Sequence, residues 1–405
     1  MLYSRISAFL SRFSRIAALL GALALVFFAD IRPAAAQVLR TPAEHAIMIE
    51  ADTGAVLFEK AAGETLQPAS MTKLMTTYLA FEAVKDGVIS LQDQVTVSDE
   101  AWRNWNNRGS TMFLRAGDTV TVEDLLKGII VLSGNDACVV LAEYLAGSHS
   151  AFVEWMNAKA DQLAMDDSHF ENANGWPAEG HVMTARDLAT LSLRLINDFP
   201  DLYPMFAQRE YVYKNFTSNR YNRNPLLGNL AGADGLKTGH TEASGYGLAG
   251  SAQRDGRRLI LVVSGLDSTA ARMRESRRLL QYGFRNFKHY PLLRGGETVD
   301  YAEVWLGDNP TVPLMLEEDL ALTMSHAQRA QMEVSVAYDN PLPAPVRQGD
   351  RVGTLTVTMP GRDPIERPLL AGESIEEISG FARIGAAIEY YLFGSAGQAP
   401  GEGTP

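Results

Sequence analysis

The sequence predicts a mixed α/β domain followed by a small all-β domain. Two observations support this division. Up to about residue 290, helical patterns with apolar residues at three- and four-residue steps alternate with short apolar strands, which is typical of helices packed on a sheet. From Pro291 onward, short segments alternate apolar and polar residues between proline-rich breaks, which is typical of strands alone.

Length and composition indicate a folded protein and argue against a nucleic-acid partner. The chain has 405 residues, of which 46% are hydrophobic and 21% are charged, enough for two or three domains with a sizeable core. Its formal net charge is −12, whereas phosphate binding requires clustered lysine and arginine. The single cysteine, Cys138, cannot form an internal disulfide, so the core alone must stabilise the fold.

Residues 1–36 have the pattern of a cleaved signal peptide. Arginines at positions 5, 12 and 15 precede the apolar run Ile16–Phe28, and Ala34–Ala36 offers the small residues that a signal peptidase recognises. The run is shorter than the roughly 20 residues that span a bilayer, which favours cleavage over an uncleaved anchor. We therefore expect a protein exported to the bacterial periplasm.

The first domain is expected over residues 37–290 and begins with a hairpin. Ala46–Glu50 and Ala55–Glu59 flank the turn Asp52–Gly54. After Pro68, apolar residues at helical spacing predict a helix, and residues 166–181, rich in Asn, Gly, Pro and acids, are expected to form a surface loop. The other expected helices are Thr121–Leu132 (with a capping box at Thr121 and Asp124), Asp136–Leu145, Thr184–Asn197 and Ala271–Phe287.

Three strands are expected before the last of these helices. The second and third are joined by the tight turn Arg254–Gly256. The strands are Gly235–His240, Gly245–Ala252 and Arg258–Ser264.

The second domain, residues 291–372, is expected to be a small all-β domain. The expected strands are Val299–Trp305, Val312–Leu316, Ala321–Ser325, Met332–Ala337 and Gly353–Met359. Residues 373–405 are expected to form an amphipathic helix, Ile375–Phe393, and a flexible Gly/Pro tail.

A first motif, Ser70-Met71-Thr72-Lys73, opens the helix after Pro68. Residues i and i+3 share a helix face, so the Ser70 hydroxyl and the Lys73 amine can meet. Serine is a weak nucleophile until a base takes its proton, and lysine is that base only if its pKa falls from about 10.4 towards 7–8. The motif is common by chance, and on its own it usually marks a solvated helix face.

Two further motifs complete a set. Ser133-Gly134-Asn135 lies between two helices, where a hydroxyl can relay a proton and an amide can hold the substrate or the lysine, although helix capping alone would explain it. Lys237-Thr238-Gly239 lies on a strand, where a cation and a hydroxyl can bind a carboxylate and glycine leaves room for a peptide, although an ordinary surface strand would also fit. The ordered combination is far more specific than any member and resembles the signature of class A β-lactamases and penicillin-binding proteins, which implies serine acyl transfer.

The residues around these motifs resemble the low-molecular-mass penicillin-binding proteins. Within that group the chain is similar to the serine D-alanyl-D-alanine carboxypeptidases of peptidase family S11, the penicillin-binding protein 5 and 6 group. The resemblance covers nearly the whole mature chain. The segments that carry it are Pro68–Lys73, Ser133–Cys138, Asn222–Asn224, Asp234–Thr241, Glu275–Arg278 and the β-rich second domain.

The resemblance implies an antiparallel sheet flanked by helices, of the β-lactamase/transpeptidase type, and a mechanism. Ser70 would attack the penultimate D-alanine carbonyl, with Lys73 as proton acceptor and Ser133 as auxiliary catalytic serine. Terminal D-alanine would leave, and water would hydrolyse the acyl-enzyme. Peptidoglycan stem peptides would be substrates and β-lactams covalent inhibitors. The implied substrate-binding residues are Asn135, Arg223, Lys237, Thr238, Gly239 and His240, with main-chain N–H groups of Ser70 and His240 as the oxyanion hole.

Other residues carry weaker expectations. The histidines show no metal-binding spacing, so neither a metal nor another cofactor is expected. Asp187 and Cys138 are expected to be structural. The family uses a terminal helix to lie on the outer face of the cytoplasmic membrane, and Ile375–Phe393 could do so here, although its polar face is acidic. Membrane fractionation after deletion of residues 375–405 tests this expectation.

Three rival functions stay open. A β-lactamase would share Ser70 and Lys73, but the stretch Glu171–Asn174 lacks the class A pattern for activating the deacylating water. A transpeptidase or endopeptidase could use the same acyl-enzyme, because amines compete with water. A non-catalytic peptidoglycan-binding protein would not require an intact Ser70 and Lys73.

Overall fold

The structure, a computed structural model, describes residues 39–380. The predicted signal peptide and most of the predicted terminal helix therefore lie outside the described residues. The helices are α1 (Lys73–Lys85), α2 (Asp99–Trp105), α3 (Val122–Lys127), α4 (Asn135–Ala146), α5 (His149–Gln162), α6 (Ala185–Asp198), α7 (Thr269–Asn286) and α8 (His326–Ala330). Short 3-10 turns lie at Ala69–Thr72 and Tyr203–Ala207, and a π-helix at Gly128–Leu132.

A five-stranded antiparallel sheet organises the first part of the chain. Its strands are β1 (His45–Glu50), β2 (Val56–Lys60), β7 (Ala233–Thr241), β8 (Gly245–Arg254) and β9 (Arg257–Leu266), in the order β2-β1-β9-β8-β7. The short strands β3 (Thr65–Leu66), β4 (Gln94–Thr96), β5 (Thr119–Thr121) and β6 (Met183–Thr184) form two separate pairs. This confirms the predicted hairpin and the three predicted strands.

The core of this part is built around α1. Leu74, Met75 and Phe81 of α1 are all 0% exposed, and helices α6 and α7 pack against β9. Because α1 is buried on nearly all sides, its first residue, Lys73, is carried into the interior with it. The 3-10 turn before α1 packs on β7, where a Cβ added to Gly239 would lie 2.6 Å from the Pro68 carbonyl oxygen. The core thereby brings two of the sequence motifs side by side.

A second set of strands follows α7. They are β10 (Phe287–Leu293), β11 (Thr298–Trp305), β12 (Thr311–Met315), β13 (Leu320–Ser325), β14 (Glu333–Tyr338), β15 (Leu342–Pro343), β16 (Arg351–Thr358) and β17 (Ile365–Ala371). Six of them form a sheet in the order β14-β16-β17-β12-β11-β15, and β10 pairs with β13. Their inward-facing apolar residues form a second core. The five predicted strands are confirmed, and β10, β15 and β17 were not predicted.

Four local expectations were wrong. Ser70 lies in a 3-10 turn before α1 rather than within the α-helix, and the helix from Thr121 changes to a π-helix at Gly128. The expected surface loop at 166–181 contains several buried residues. The terminal helix does not begin at Ile375, because Ile375 pairs as an isolated bridge with Val346 and is 2% exposed in the second core. Within residues 39–380, no helix is long and apolar enough to cross a membrane.

Candidate active site

The structure brings Ser70 and Lys73 into direct contact. Pro68 precedes the 3-10 turn that carries Ser70, and Ala69 adopts a positive φ of 48°, a conformation that is unusual for a residue with a side chain. Lys73 begins α1, and its Nζ lies 2.9 Å from Ser70 Oγ. The spacing of the motif thus gives the predicted contact, although the Ser70 backbone is not α-helical.

Two amide oxygens hold the other side of the Lys73 amine. Its Nζ donates to Asn135 Oδ1 at 2.8 Å and to the main-chain carbonyl of Asn174. Both oxygens can only accept hydrogen bonds, so in the neutral amine they take both N–H bonds. The remaining lone pair of Nζ is then directed to the third neighbour, Ser70 Oγ. This geometry suits proton transfer from the serine to the lysine.

The electrostatic environment favours the neutral form of Lys73. The side chain is 0% exposed, and this burial lowers its pKa to about 8, with a further lowering from the positive charge of Arg223. Cys138 would oppose this only as a thiolate, but burial raises the pKa of the Cys138 thiol to about 12. At neutral pH Cys138 is therefore an uncharged, fully buried neighbour of Lys73, which agrees with the structural role expected for it.

The second motif forms the junction between the π-helix and α4. Ser133 is 2% exposed and adopts a left-handed backbone conformation, with a φ of 62°. Asn135 is the first residue of α4, and its Nδ2 donates to the Arg108 carbonyl at 3.0 Å while its Oδ1 faces Lys73. Asn135 thus holds the lysine, which is one of the two roles considered from the sequence.

Asp136 stabilises this junction and was not singled out from the sequence. Its buried carboxylate accepts the main-chain N–H of Met112 at 2.8 Å and of Leu114 at 3.2 Å. Burial raises its pKa, although these hydrogen bonds act in the opposite direction. Asp136 therefore fixes segment 112–114 against the start of α4.

The third motif contributes a second buried cation. Lys237 on β7 is 3% exposed, and its Nζ donates to the Thr238 carbonyl at 3.2 Å. Burial lowers its pKa well below the usual value, and the charges of Lys73 and Arg223 lower it further. Lys73 and Arg223 are thus close enough to Lys237 to act on it electrostatically. Such a cluster attracts an anion.

Arg223 lies at the edge of this cleft. Its Nη1 donates to Ser110 Oγ at 2.6 Å and its Nη2 to Asn219 Oδ1 at 3.0 Å. Burial lowers its pKa from an already high value, and a guanidinium stays cationic at neutral pH.

The side chain of His240 packs on a neighbouring strand, β8. It is exposed, stacks on Tyr246 with a centroid distance of 3.8 Å, and places Nδ1 3.0 Å from the Gly245 carbonyl oxygen. Only its main-chain N–H is suited to the predicted oxyanion role. Gly239 before it packs against Pro68, so its lack of a side chain serves the approach of β7 to the nucleophile turn.

The loop 172–176 was missed as a site element. Asn172 Oδ1 accepts three successive main-chain N–H groups, from Asn174, Gly175 and Trp176. A Cβ added to Gly175 would lie 1.8 Å from the Ala69 carbonyl oxygen, and Gly175 has a φ of +77°. The local signal was the Asn-x-Asn-Gly sequence, because an Asn side chain that folds over its own loop can satisfy buried main-chain groups.

Known proteins show the same arrangement of domains. The sequence pattern of the Peptidase_S11 family, D-alanyl-D-alanine carboxypeptidase, matches residues 32–268, and that of the penicillin-binding protein 5 C-terminal domain matches residues 287–377. The chain is 38% identical to the D-alanyl-D-alanine carboxypeptidase DacC of Escherichia coli (strain K12), over 90% of this chain and 92% of that protein.

Solved structures agree with the fold. Penicillin-binding protein 5 from Haemophilus influenzae matches with a TM-score of 0.70 and 33% identity, over 84% of this chain and 99% of that one. The D-alanyl-D-alanine carboxypeptidase DacD from Francisella tularensis matches with a TM-score of 0.74 and 28% identity, over 84% and 95% of the two chains. The fold and the cleft therefore define a penicillin-binding protein. More narrowly, the chain belongs to the D-alanyl-D-alanine carboxypeptidase family, peptidase S11.

Proposed function

We propose that the chain is a serine-type carboxypeptidase that removes the terminal D-alanine from peptidoglycan stem pentapeptides through an acyl-enzyme on Ser70. The observation that supports this most directly is the Lys73 amine, held by two amide oxygens and placed 2.9 Å from Ser70 Oγ. The D-alanyl-D-alanine carboxypeptidase relatives supply the substrate class.

Acylation begins with proton transfer from Ser70 Oγ to neutral Lys73. The oxygen then bonds to the carbonyl carbon of the penultimate D-alanine, and the developing oxyanion accepts hydrogen bonds from the main-chain N–H groups of Ser70 and His240. The proton passes through Ser133 to the leaving amine, and the C–N bond breaks. Terminal D-alanine departs, and water hydrolyses the remaining ester.

The cationic side of the cleft binds the substrate terminus. The terminal carboxylate lies against Lys237, Thr238 and Arg223, because Lys237 and Thr238 are neighbours on β7 and Arg223 is close enough to act electrostatically on Lys237. Gly239 allows β7 to approach the nucleophile turn closely, so a peptide extended along the strand lies near Ser70. Asn135 holds Lys73 during the reaction.

β-Lactams acylate the same serine, and rapid release of the product is not expected. Glu171, the acid in the stretch compared with β-lactamases, is exposed and pairs with His169 at 3.1 Å, so it does not line the Lys73 pocket. The position that approaches Lys73 is instead the Asn174 carbonyl, which cannot act as a base. The enzyme is exported and acts in the periplasm, and membrane attachment through the terminal segment stays a prediction.

Release of free D-alanine from a pentapeptide ending in D-Ala-D-Ala tests the proposal. We expect release by the mature protein and a loss of roughly a thousandfold or more in Ser70→Ala. Equal release by both proteins would refute the mechanism. Fluorescent penicillin should label the native protein at Ser70 and persist, whereas rapid loss of the label would indicate a β-lactamase.

A further inference from the structure

An arginine packs against two neighbouring indole rings at the rim of the cleft. The Arg108 guanidinium carbon is 5.0 Å from the Trp105 ring centroid and 4.6 Å from the Trp176 ring centroid. The two indoles meet edge to face at 5.7 Å. We call these three side chains the Trp–Arg–Trp clamp. Because both rings contact the guanidinium, its position is restricted before any ligand arrives.

The clamp is attached to the residues that hold Lys73. The Arg108 carbonyl accepts Asn135 Nδ2 at 3.0 Å, and the main-chain N–H of Asn135 donates to the Ser110 carbonyl at 2.7 Å. Trp176 lies two residues after Asn174, whose side-chain oxygen accepts the Trp176 N–H at 3.0 Å. Both supports of the clamp are therefore residues that bind the Lys73 amine. The rim is next to the acylation site.

The guanidinium of the clamp is open to a ligand. Arg108 is exposed, and among residues 39–380 no carboxylate forms an ion pair with it. Guanidinium has five N–H donors in a planar fork that matches a carboxylate. Within residues 39–380 the Arg108 side chain donates no hydrogen bond, so its donors are available to a ligand.

We propose that Arg108 is a specificity residue that binds a carboxylate on the donor peptide, carried by the side chain of the residue before the D-alanyl-D-alanine pair. This inference rests on the proposed function. The terminal carboxylate already has Lys237 and Arg223, so a cation beyond Asn135 serves a different anion, farther along the peptide. The two indoles supply apolar surface for the chain that leads to this carboxylate.

Two matched peptides test this inference. Both end in D-Ala-D-Ala, and their preceding residue is either α-aminopimelic acid, which has a long side chain ending in a carboxylate, or its side-chain carboxamide. Dissociation constants are measured by calorimetry on the Ser70→Ala variant, which does not require turnover. We expect the carboxylate peptide to bind about five- to tenfold more tightly, with the preference falling in high salt.

Arg108→Gln in the Ser70→Ala background should abolish the preference, and Arg108→Lys should restore part of it. Arg103→Gln is the matched control, because it removes an exposed positive charge five residues away, outside the clamp. An equal loss of affinity for both peptides in Arg108→Gln, or no preference before mutation, would overturn the inference and leave the clamp a structural support. Release of D-alanine by the native enzyme is scored separately, so failure of the proposed function is distinguishable.

Discussion

At the scale of single residues, the reactivity of Ser70 depends on what surrounds Lys73. Burying a charged ammonium group costs free energy unless acceptors bind it. A neutral amine directs its lone pair towards the serine only if its N–H groups are held by hydrogen bonds. The oxygens of Asn135 and Asn174 meet both conditions, since they accept from either protonation state. Burial lowers the pKa of Lys73 to about 8, close to the range in which a general base is effective.

The rate of acylation by fluorescent penicillin should therefore rise with pH. Below about 8 Lys73 is mostly protonated and cannot accept the Ser70 proton, and above that value the rate should level off. Asn135→Asp places an anion against Nζ, which favours the ammonium form, so the midpoint should move to higher pH by about one unit. Stopped-flow measurement between pH 6 and 10 gives both midpoints. A native profile that is flat across this interval would contradict Lys73 as the base.

At the scale of elements, the loop 172–176 packs against both the nucleophile turn and the first residue of α1. Its conformation depends on the Asn172 side chain, and its position on the absence of a Cβ at Gly175. Another residue at 175 would collide with the Ala69 carbonyl, directly before the nucleophile. The loop therefore controls the distance between the Asn174 carbonyl and Lys73.

Gly175→Ala should reduce penicillin acylation by roughly a hundredfold or more, because it displaces an oxygen that orients the base. Gly54→Ala is the matched control, since Gly54 also has a positive φ, +67°, but no atom within 4 Å of an added Cβ. Both variants carry the same kind of backbone strain, about 1 kcal/mol. Equal acylation rates in the two variants would show that the close approach at Gly175 has no role.

The elements that the sequence predicts are those defined by local patterns. The hairpin, α6, α7 and strands β7, β8 and β9 follow from apolar periodicity and turn residues. Strands β10 and β17 were missed because each contains a proline, Pro291 and Pro368, which lowers the strand signal. The Ser70–Lys73 contact is local and was predictable.

Contacts between distant residues were not predictable from one sequence. The Asn174 carbonyl meets Lys73 across 101 residues. Its loop has the composition of an exposed turn, yet Asn172 satisfies its main-chain groups and allows it to be buried. The clamp likewise joins Arg108 to Trp176, and no periodicity relates these two positions.

At the scale of the whole molecule, side-chain hydrogen bonds join the five-stranded sheet to the part of the chain that follows α7. The Glu50 carboxylate at the end of β1 accepts the hydroxyl of Thr323 on β13 and pairs with Arg257 at 2.8 Å. Arg362 donates to the Val56 carbonyl at 2.9 Å. A groove of about 780 Å³ runs beside these contacts, between β2 and the second set of strands.

Thr323→Val should lower the free energy of unfolding by about 1 kcal/mol at pH 7. Burial opposes ionisation of Glu50, but hydrogen bonds from Thr323 and Arg257 outweigh it and lower its pKa below 4.5. The anionic form of Glu50 stabilises the fold fully at pH values above the pKa that Glu50 has in the unfolded chain. This stabilisation is lost as the pH falls through the lower pKa that Glu50 has in the folded protein. The difference in free energy of unfolding between the native protein and Thr323→Val should therefore become smaller at acidic pH.

Urea unfolding at pH 7 and near pH 3 measures this difference. Thr298→Val, at an exposed position on β11, is the matched control and should have little effect at either pH. A Thr323→Val variant that is as stable as the native protein at pH 7, or that loses the same amount at both pH values, would contradict this role for Glu50.

The burial of Cys138 has a practical consequence for labelling experiments. The only thiol in the chain is 0% exposed and stays protonated, so maleimide reagents should leave the folded native protein unlabelled. A cysteine introduced at Val334, which is 48% exposed on β14, would then be the sole attachment point for a dye. With a fluorescent penicillin on Ser70, one molecule could carry two different reporters, and energy transfer between them would report the distance from the nucleophile to β14 in the acylated enzyme.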